Sequence, residues 1–332
     1  MITVAVIGLG GIGSRYETDV LPRSHVASVL ATPGLLLGAV VDTNHEAREA
    51  FRKQWPAAAK ASVLSSLDEL SGGKADVIAL CTPVAGRSSL VEAALARKPR
   101  LLVLEKPMSS NAAEARAIAA IAERHGIPVR VNFHRRFDRR HRALRQSLPG
   151  TPRYVAMRYG KGLFNYGSHL IDFLIDWFGP VQEVQALSSE AGGADPAVTF
   201  RAKMQRGFEA VLIGMSNLSY DQFEIDLFYD EFRIEIANGG TEIRRYDGTA
   251  DRFYKGYSQL GPARTLGTDG PVGGLAEFYL EIRDYIRNGG ALGGCDARQA
   301  IAGLEVLEAA RESANRGGRT IVLTEDRSVP AH

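Results

Sequence analysis

The chain reads as an α/β domain built on a parallel sheet, followed by an α+β domain with a large, mainly antiparallel open sheet. Two patterns carry this expectation. Over the first 130 residues, short continuous apolar runs alternate with helical periodicity; continuous apolar strands indicate a sheet covered on both faces. Beyond that point strand-like segments follow one another with turn residues between them, the mark of an antiparallel meander. The expected division is therefore 1–130 and 131–332.

In the first part, Ile2–Gly8, Leu35–Asp42, Asp76–Cys81, Leu101–Glu105 and Pro128–Asn132 are the expected strands. Glu46–Gln54, Ser88–Ala96 and Asn111–His125 are the expected helices, the last closed by Gly126 as a C′ glycine. In the second part, strands are expected over 152–160, 182–189, 197–204, 207–216, 221–229 and 231–237, with Asn238-Gly-Gly240 as a turn. Helices are expected at Ser168–Phe178, Leu275–Arg287 and Asp296–Asn315, and a loop at Gly261–Gly274.

Composition narrows the function classes. The 332 residues are 45% hydrophobic and 23% charged, with a net charge of +2, enough for a sizeable core and too little charge for a nucleic-acid partner. The arginines 139, 140, 142 and 145 fall on a polar helix and read as a solvated face. Two distant cysteines, Cys81 and Cys295, build neither a disulfide framework nor a metal site. No signal peptide and no membrane span are expected, which points to the cytoplasm.

Gly8-Leu-Gly10-Gly11-Ile12-Gly13 fits G-x-G-x-x-G directly after a strand. Gly8 permits the tight turn, Gly10 lets backbone approach a pyrophosphate, and Gly13 allows close packing of helix on strand. Asp42 ends the second strand, where a carboxylate can bond both ribose hydroxyls of NAD and would repel the phosphate of NADP. The expectation is a Rossmann domain binding NAD, with NADP as the variant. The 29 positions from Gly13 to Asp42 exceed the usual spacing, so Ser14–Ser24 reads as an insertion beside the cleft. Cys81-Thr82-Pro83, at the next strand end, either lines the nicotinamide ribose or is a plain turn.

Glu105-Lys106-Pro107 ends the fourth strand, and Asn165-Tyr-Gly167-Ser-His169-Leu-Ile-Asp172 opens a later helix. Together with the dinucleotide fingerprint and the closing helix, these motifs resemble the Gfo/Idh/MocA oxidoreductases over nearly the whole chain. The resemblance implies that Glu105 and Lys106 border the cofactor, that the Lys106–Pro107 bond is cis, and that Lys106 stands between cofactor and substrate. The family usually carries Asp where this chain has Asn165, and many members carry His where it has Arg87. Tyr159-Gly-Lys-Gly162 and the Asn-x-Gly-Ser-His pattern resemble the polysaccharide and nucleotide-sugar branch.

On this reading Lys106 and His169 handle the hydroxyl proton during hydride transfer. Histidine titrates near neutrality unaided, whereas lysine must be shifted downward by burial or a neighbouring charge. His169 and Asp172 are three apart and share a helix face. Asp172 either bonds a substrate hydroxyl, holds Lys106 or caps backbone amides. Asn165 and Arg136 are the other substrate candidates. The expected reaction is hydride exchange between nicotinamide and a secondary alcohol or ketone of a sugar, nucleotide sugar or cyclitol. A glycosidase using NAD transiently and a dinucleotide-binding sensor are the alternatives. No metal is expected, and a homodimer or homotetramer is expected through the carboxy-terminal sheet, whose open face would otherwise expose apolar surface.

Overall fold

A computed structural model describes residues 1–17, 21–190, 195–267 and 273–323. Two compact units emerge among the described residues: 1–142 with 273–301, and 143–267 with 302–323. The boundary expected after residue 130 instead falls inside a strand of the first unit.

The first unit holds six parallel strands: β1 (Ile2–Ile7), β2 (Leu35–Val41), β3 (Ser62–Leu64), β4 (Val77–Leu80), β5 (Leu101–Glu105) and β6 (Val129–Asn132). Their order is β3-β2-β1-β4-β5-β6, and the chain reverses direction across the sheet beside β1. Such a switch point opens a crevice at the carboxyl ends of the strands. Helices α1 (His25–Ala31), α2 (His45–Gln54), α3 (Arg87–Leu95) and α4 (Ala112–His125) connect them, and α5 (Arg139–Ser147) follows β6. Val4, Val6, Val77, Ala79, Leu101 and Val103 are buried in this unit's core. Gly126 ends α4 at φ +65°, its N–H bonded to the carbonyls of Ala122 and Glu123.

The late helix Leu275–Asn288 belongs to this unit and not, as expected, to the second. Its apolar stripe, Leu275, Phe278, Tyr279, Ile282 and Ile286, is buried in the same core. The chain then adds an edge contact, the Val131 N–H donating to the Cys295 carbonyl at 2.9 Å.

The second unit carries β7 (Tyr154–Tyr159), α6 (Ser168–Phe178), β8 (Val181–Glu190), β9 (Ala197–Met204), β10 (Glu209–Gly214), β11 (Phe223–Phe228), β12 (Phe232–Ala237) and β13 (Glu242–Ala250). They run β13-β12-β11-β7-β10-β9-β8 within a ten-stranded sheet whose only parallel pair among the described strands is β7 with β10. One face is apolar: Val198, Phe200, Ala202 and Met204 of β9 pack in a cluster with Leu170, Ile171 and Leu174 of α6 and with Val306 and Leu307.

The other face departs from expectation. It carries ion pairs where exposed apolar surface was expected. Buried Asp226 pairs with Arg158 at 2.9 Å and Arg233 at 2.5 Å. Arg244 pairs with Glu235, Arg201 with Glu209 and Lys203 with Glu183, each across neighbouring strands. Arginine and carboxylate pairs occupy much of this face, beside the exposed side chains of Tyr154 and Ile213.

Unexpected strands are explained by the same pattern. β13 carries four charged residues in nine, with Ile243 its single buried residue, and so shows no apolar alternation. A short strand, Arg264–Leu266, pairs with β13 inside the expected loop; residues 268–272 of that loop lie outside the described residues.

Candidate active site

The fingerprint forms a cradle. Gly8 has φ +94°, and a Cβ there would meet the Cys81 carbonyl at 2.9 Å. A Cβ on Gly13 would lie 1.9 Å from the Gly8 oxygen, so neither position admits a side chain. Gly10 has open space where its Cβ would stand. The Gly8 N–H donates to the Val41 carbonyl at 2.8 Å, tying β1 to the end of β2. The expected helix after the glycines is reduced to one turn, Gly11–Arg15. The intervening segment then re-enters at α1, where the Ser24 side chain caps the Ala27 N–H. Residues 18–20 of the expected insertion lie outside the described residues. Ile12 packs against the core, and the Tyr16 ring covers Gly11.

A cleft of about 680 Å³ opens at these strand ends, lined by Gly8, Gly10, Asp42, Cys81, Thr82 and Pro83 together with Asn44, Ser66 and Leu90. Asp42 Oδ2 accepts from the Leu9 N–H at 2.7 Å and Oδ1 from the Asn44 N–H at 2.9 Å. A carboxylate has about four lone-pair sites, so it keeps acceptor capacity for two hydroxyls. Arg48 donates to the carbonyls of Asp42 and Thr43 from the adjacent turn of α2. Thr82 Oγ1 is buried and has no protein partner. A cradle shut to side chains, an aspartate across the sheet and an orphaned hydroxyl fit a dinucleotide.

Lys106 follows β5, and its bond to Pro107 is cis. The preceding Glu105 was expected at the cofactor; its carboxylate instead enters a buried network. Glu105 Oε1 lies 2.7 Å from His25 Nε2 and accepts from Asn132 Nδ2 at 2.5 Å. His25 Nδ1 lies 2.6 Å from the Tyr279 hydroxyl. Burial opposes charge on His25, yet Cys81, Tyr279 and Glu105 outweigh it and raise its pKa well above the ordinary histidine value. Burial pushes the Cys81 thiol and Tyr279 phenol up as well, leaving both neutral near pH 7. The anion stabilising the imidazolium is therefore Glu105, whose own pKa is lowered, against burial, by the bonds from His25 and Asn132. His134, next along the strand end, is driven the other way: burial, then Arg135, Lys106 and Arg23, bring it down to about 3.

In the second unit, Asn165 is exposed on the single turn Leu163–Gly167 that leads into α6. Asp195 holds that turn, accepting from the N–H groups of Phe164 at 2.8 Å and Asn165 at 3.0 Å. His169 and Asp172 are buried on the first turns of α6, with the His169 ring edge-on to Phe223. Arg136, expected at substrate oxygens, is buried in the first unit and directs Nη1 to the Gln299 side chain at 2.8 Å and the Gly294 carbonyl at 3.3 Å. Among the described residues no three-ligand metal cluster occurs, and no helix is long and apolar enough to cross a membrane.

Residues 2–133 match the family model described as "Oxidoreductase family, NAD-binding Rossmann fold". The amino-terminal unit belongs to the Gfo/Idh/MocA oxidoreductases. Myo-inositol dehydrogenase Hyg17 of Streptomyces leeuwenhoekii is 32% identical over 140 residues, which span 41% of this chain and 38% of that protein. scyllo-Inositol 2-dehydrogenase (NADP(+)) IolW of Bacillus subtilis is 23% identical, across 97% of this chain and 96% of its own. In fold, the chain is similar to WlbA dehydrogenase of Bordetella pertussis, solved with NADH and UDP-GlcNAcA. The TM-score is 0.74 at 20% identity, over 98% of this chain and 99% of that one. The likeness in fold covers residues of both units.

Sequence reasoning missed His25, which lies just beyond the segment read as an insertion. The signal was present in Ser24-His25-Val26, a capping serine followed by apolar residues at helical spacing. Arg87 stood out only as a departure.

Proposed function

We propose that the chain is a dehydrogenase or ketoreductase that moves a hydride between NAD and a secondary alcohol or ketone of a sugar, nucleotide sugar or cyclitol. The observation that carries this reading is the cleft at the carboxyl ends of β1, β2 and β4. Gly8, Gly10, Asp42 and Thr82 line it, and Lys106 closes the neighbouring strand β5.

The bound nicotinamide would supply the hydride acceptor or donor. Gly10, Gly11 and Ile12 would hold the pyrophosphate with backbone amides, while Gly8, whose N–H is bonded to Val41, and Gly13 keep the turn close to the strand. Asp42 accepts the ribose hydroxyls, and the backbone of Cys81-Thr82-Pro83 borders the nicotinamide ribose. Lys106 takes the alcohol proton during oxidation and returns it during reduction. Glu105 acts from behind, anchoring the segment that carries Lys106. His169 of the second unit is assigned the second proton-handling role, and Asn165 and Asp172 hydrogen bonds to substrate hydroxyls. The names of the inositol and nucleotide-sugar dehydrogenases among the relatives support a polyol substrate. Two buried, free cysteines fit a cytoplasmic setting. Self-association through the large sheet would use the ion-pair face.

The test is absorbance at 340 nm with NAD and a panel of inositols, sugars and nucleotide sugars. Net NADH formation is expected with at least one polyol. Sugar release without net NADH would move the reading to an NAD-dependent glycosidase, and nucleotide binding with no turnover to a sensor.

A further inference from the structure

We propose that Arg87 is a positioning residue whose guanidinium fixes the backbone on both sides of Lys106 to the strand end that borders the cleft. The inference deepens the dehydrogenase reading and rests on it for its catalytic consequence.

Arg87 opens α3 and is 2% exposed. Its Nη1 donates to the Glu105 carbonyl at 2.6 Å and the Pro107 carbonyl at 2.5 Å, and its Nη2 donates to the Thr82 carbonyl. Lys106 therefore sits between two carbonyls held by one nitrogen, and the other nitrogen holds the cleft-lining segment after β4. The fork geometry of arginine is what allows one side chain to join two strand ends.

Stability alone does not account for this placement. A cation in the first turn of a helix opposes the helix dipole. A buried cation bonded to carbonyls also carries a desolvation cost that a packed apolar side chain would avoid. Burial indeed lowers the Arg87 pKa, and Glu105 is the largest influence that works against the shift. The contacts instead concentrate on the segment carrying the candidate proton-transfer group. Glu105 is held independently through its side chain by His25 and Asn132, so the strand end has two anchors, and Arg87 is the one that reaches past Lys106. A misplacement of about 1 Å at a reacting group can cost about 100-fold in rate.

The experiment compares wild type with Arg87→Met, Arg87→Lys and Arg87→Ala. With a polyol that the wild type turns over, Arg87→Met should lower kcat by about 100-fold while KM and NADH affinity stay within about threefold. Arg87→Lys keeps the charge but loses the fork and should lower kcat by about tenfold. Millimolar guanidinium should restore part of the kcat of Arg87→Ala, and tetramethylammonium at the same ionic strength should not. Unchanged kcat in Arg87→Met overturns the proposal. So does a kcat loss matched by equal loss of NADH affinity and not relieved by guanidinium. Hydrogen exchange of the peptide 103–110 separates this inference from the function it rests on, and Arg87→Lys serves if the other variants fail to fold. Faster exchange there in a protein without dehydrogenase activity keeps the anchor and removes the function; unchanged exchange removes the anchor.

Discussion

His25 Nε2 lies 2.7 Å from Glu105 Oε1, 80 residues away in sequence, and both side chains are buried. The pair joins the segment after the glycine fingerprint to the strand end that carries Lys106. Removing one member strands a buried charge, which costs about 3–5 kcal/mol, whereas replacing both by apolar groups is often neutral. His25→Phe should therefore lower the unfolding free energy by several kcal/mol, and His25→Phe with Glu105→Leu should recover most of it. Urea unfolding of the wild type, His25→Phe and the double variant checks this; a double variant no better than the single one would refute the pairing.

The same pair sets a pH dependence. The His25 pKa is raised in the folded state, so its contribution is complete below the unfolded value of about 6.5 and is lost as pH rises through the folded value. The Glu105 pKa is lowered, so its contribution is present above the unfolded value of about 4.3 and is lost as pH falls through the folded value. The stability gap between wild type and His25→Phe should thus be widest between about pH 4.3 and 6.5 and narrow on the alkaline side. A gap that widened as pH rose would mean that His25 is buried neutral.

Asp42 faces two tasks at once. It orders the backbone at Leu9 and Asn44, and it offers its remaining lone pairs to the cleft. The wild type should bind NADH more tightly than NADPH, and Asp42→Ala should weaken NADH by about tenfold or more while NADPH loses less, since the substitution also relieves the repulsion of its extra phosphate. Fluorescence titration with both nucleotides measures this. A wild-type preference for NADPH would transfer the selectivity to Arg48, whose guanidinium sits on the carbonyls of Asp42 and Thr43.

Lys106→Ala should lower kcat by about 10²–10⁴-fold, the usual range for loss of a general acid or base, with NADH affinity nearly unchanged. His134 stands near Lys106 but has been driven down to about 3, so it stays neutral throughout the working pH range. Turnover should accordingly survive in His134→Gln and be lost in Lys106→Ala.

Much of this architecture was readable from residues. The parallel strands announced themselves because burial on both faces leaves continuous apolar runs, as in Leu101–Glu105. The glycine cradle was visible because Gly8 and Gly13 sit where a side chain would collide with backbone. What escaped was long-range. No local pattern ties the stripe of Leu275–Asn288 to the first core, because an amphipathic helix does not say which core it covers. Glu105 looked like a cofactor neighbour, since nothing in Glu-Lys-Pro reveals a histidine 80 residues earlier. The outer face of the large sheet was expected to be apolar, and its ion pairs escaped because they form between strands and leave no local pattern.

Asn165 stands where the resemblance in the sequence implies an aspartate, and Asp195 already places a carboxylate at that turn. The Asp195 carboxylate already accepts the N–H groups of Phe164 and Asn165, so negative charge is present at this turn. A second carboxylate at position 165 would add like charge to the same turn, a repulsion of about 1 kcal/mol at about 4 Å in water. Asn165→Asp should therefore destabilise the protein slightly in low salt and less in high salt, and Asp195→Asn should relieve the penalty in the double variant. Asp195→Ala alone removes two bonds to backbone amides and should cost about 1–2 kcal/mol. Thermal melts at two salt concentrations decide the matter. If Asn165→Asp is neutral at low salt, the two positions do not share a field, and the absence of the family's aspartate needs another cause.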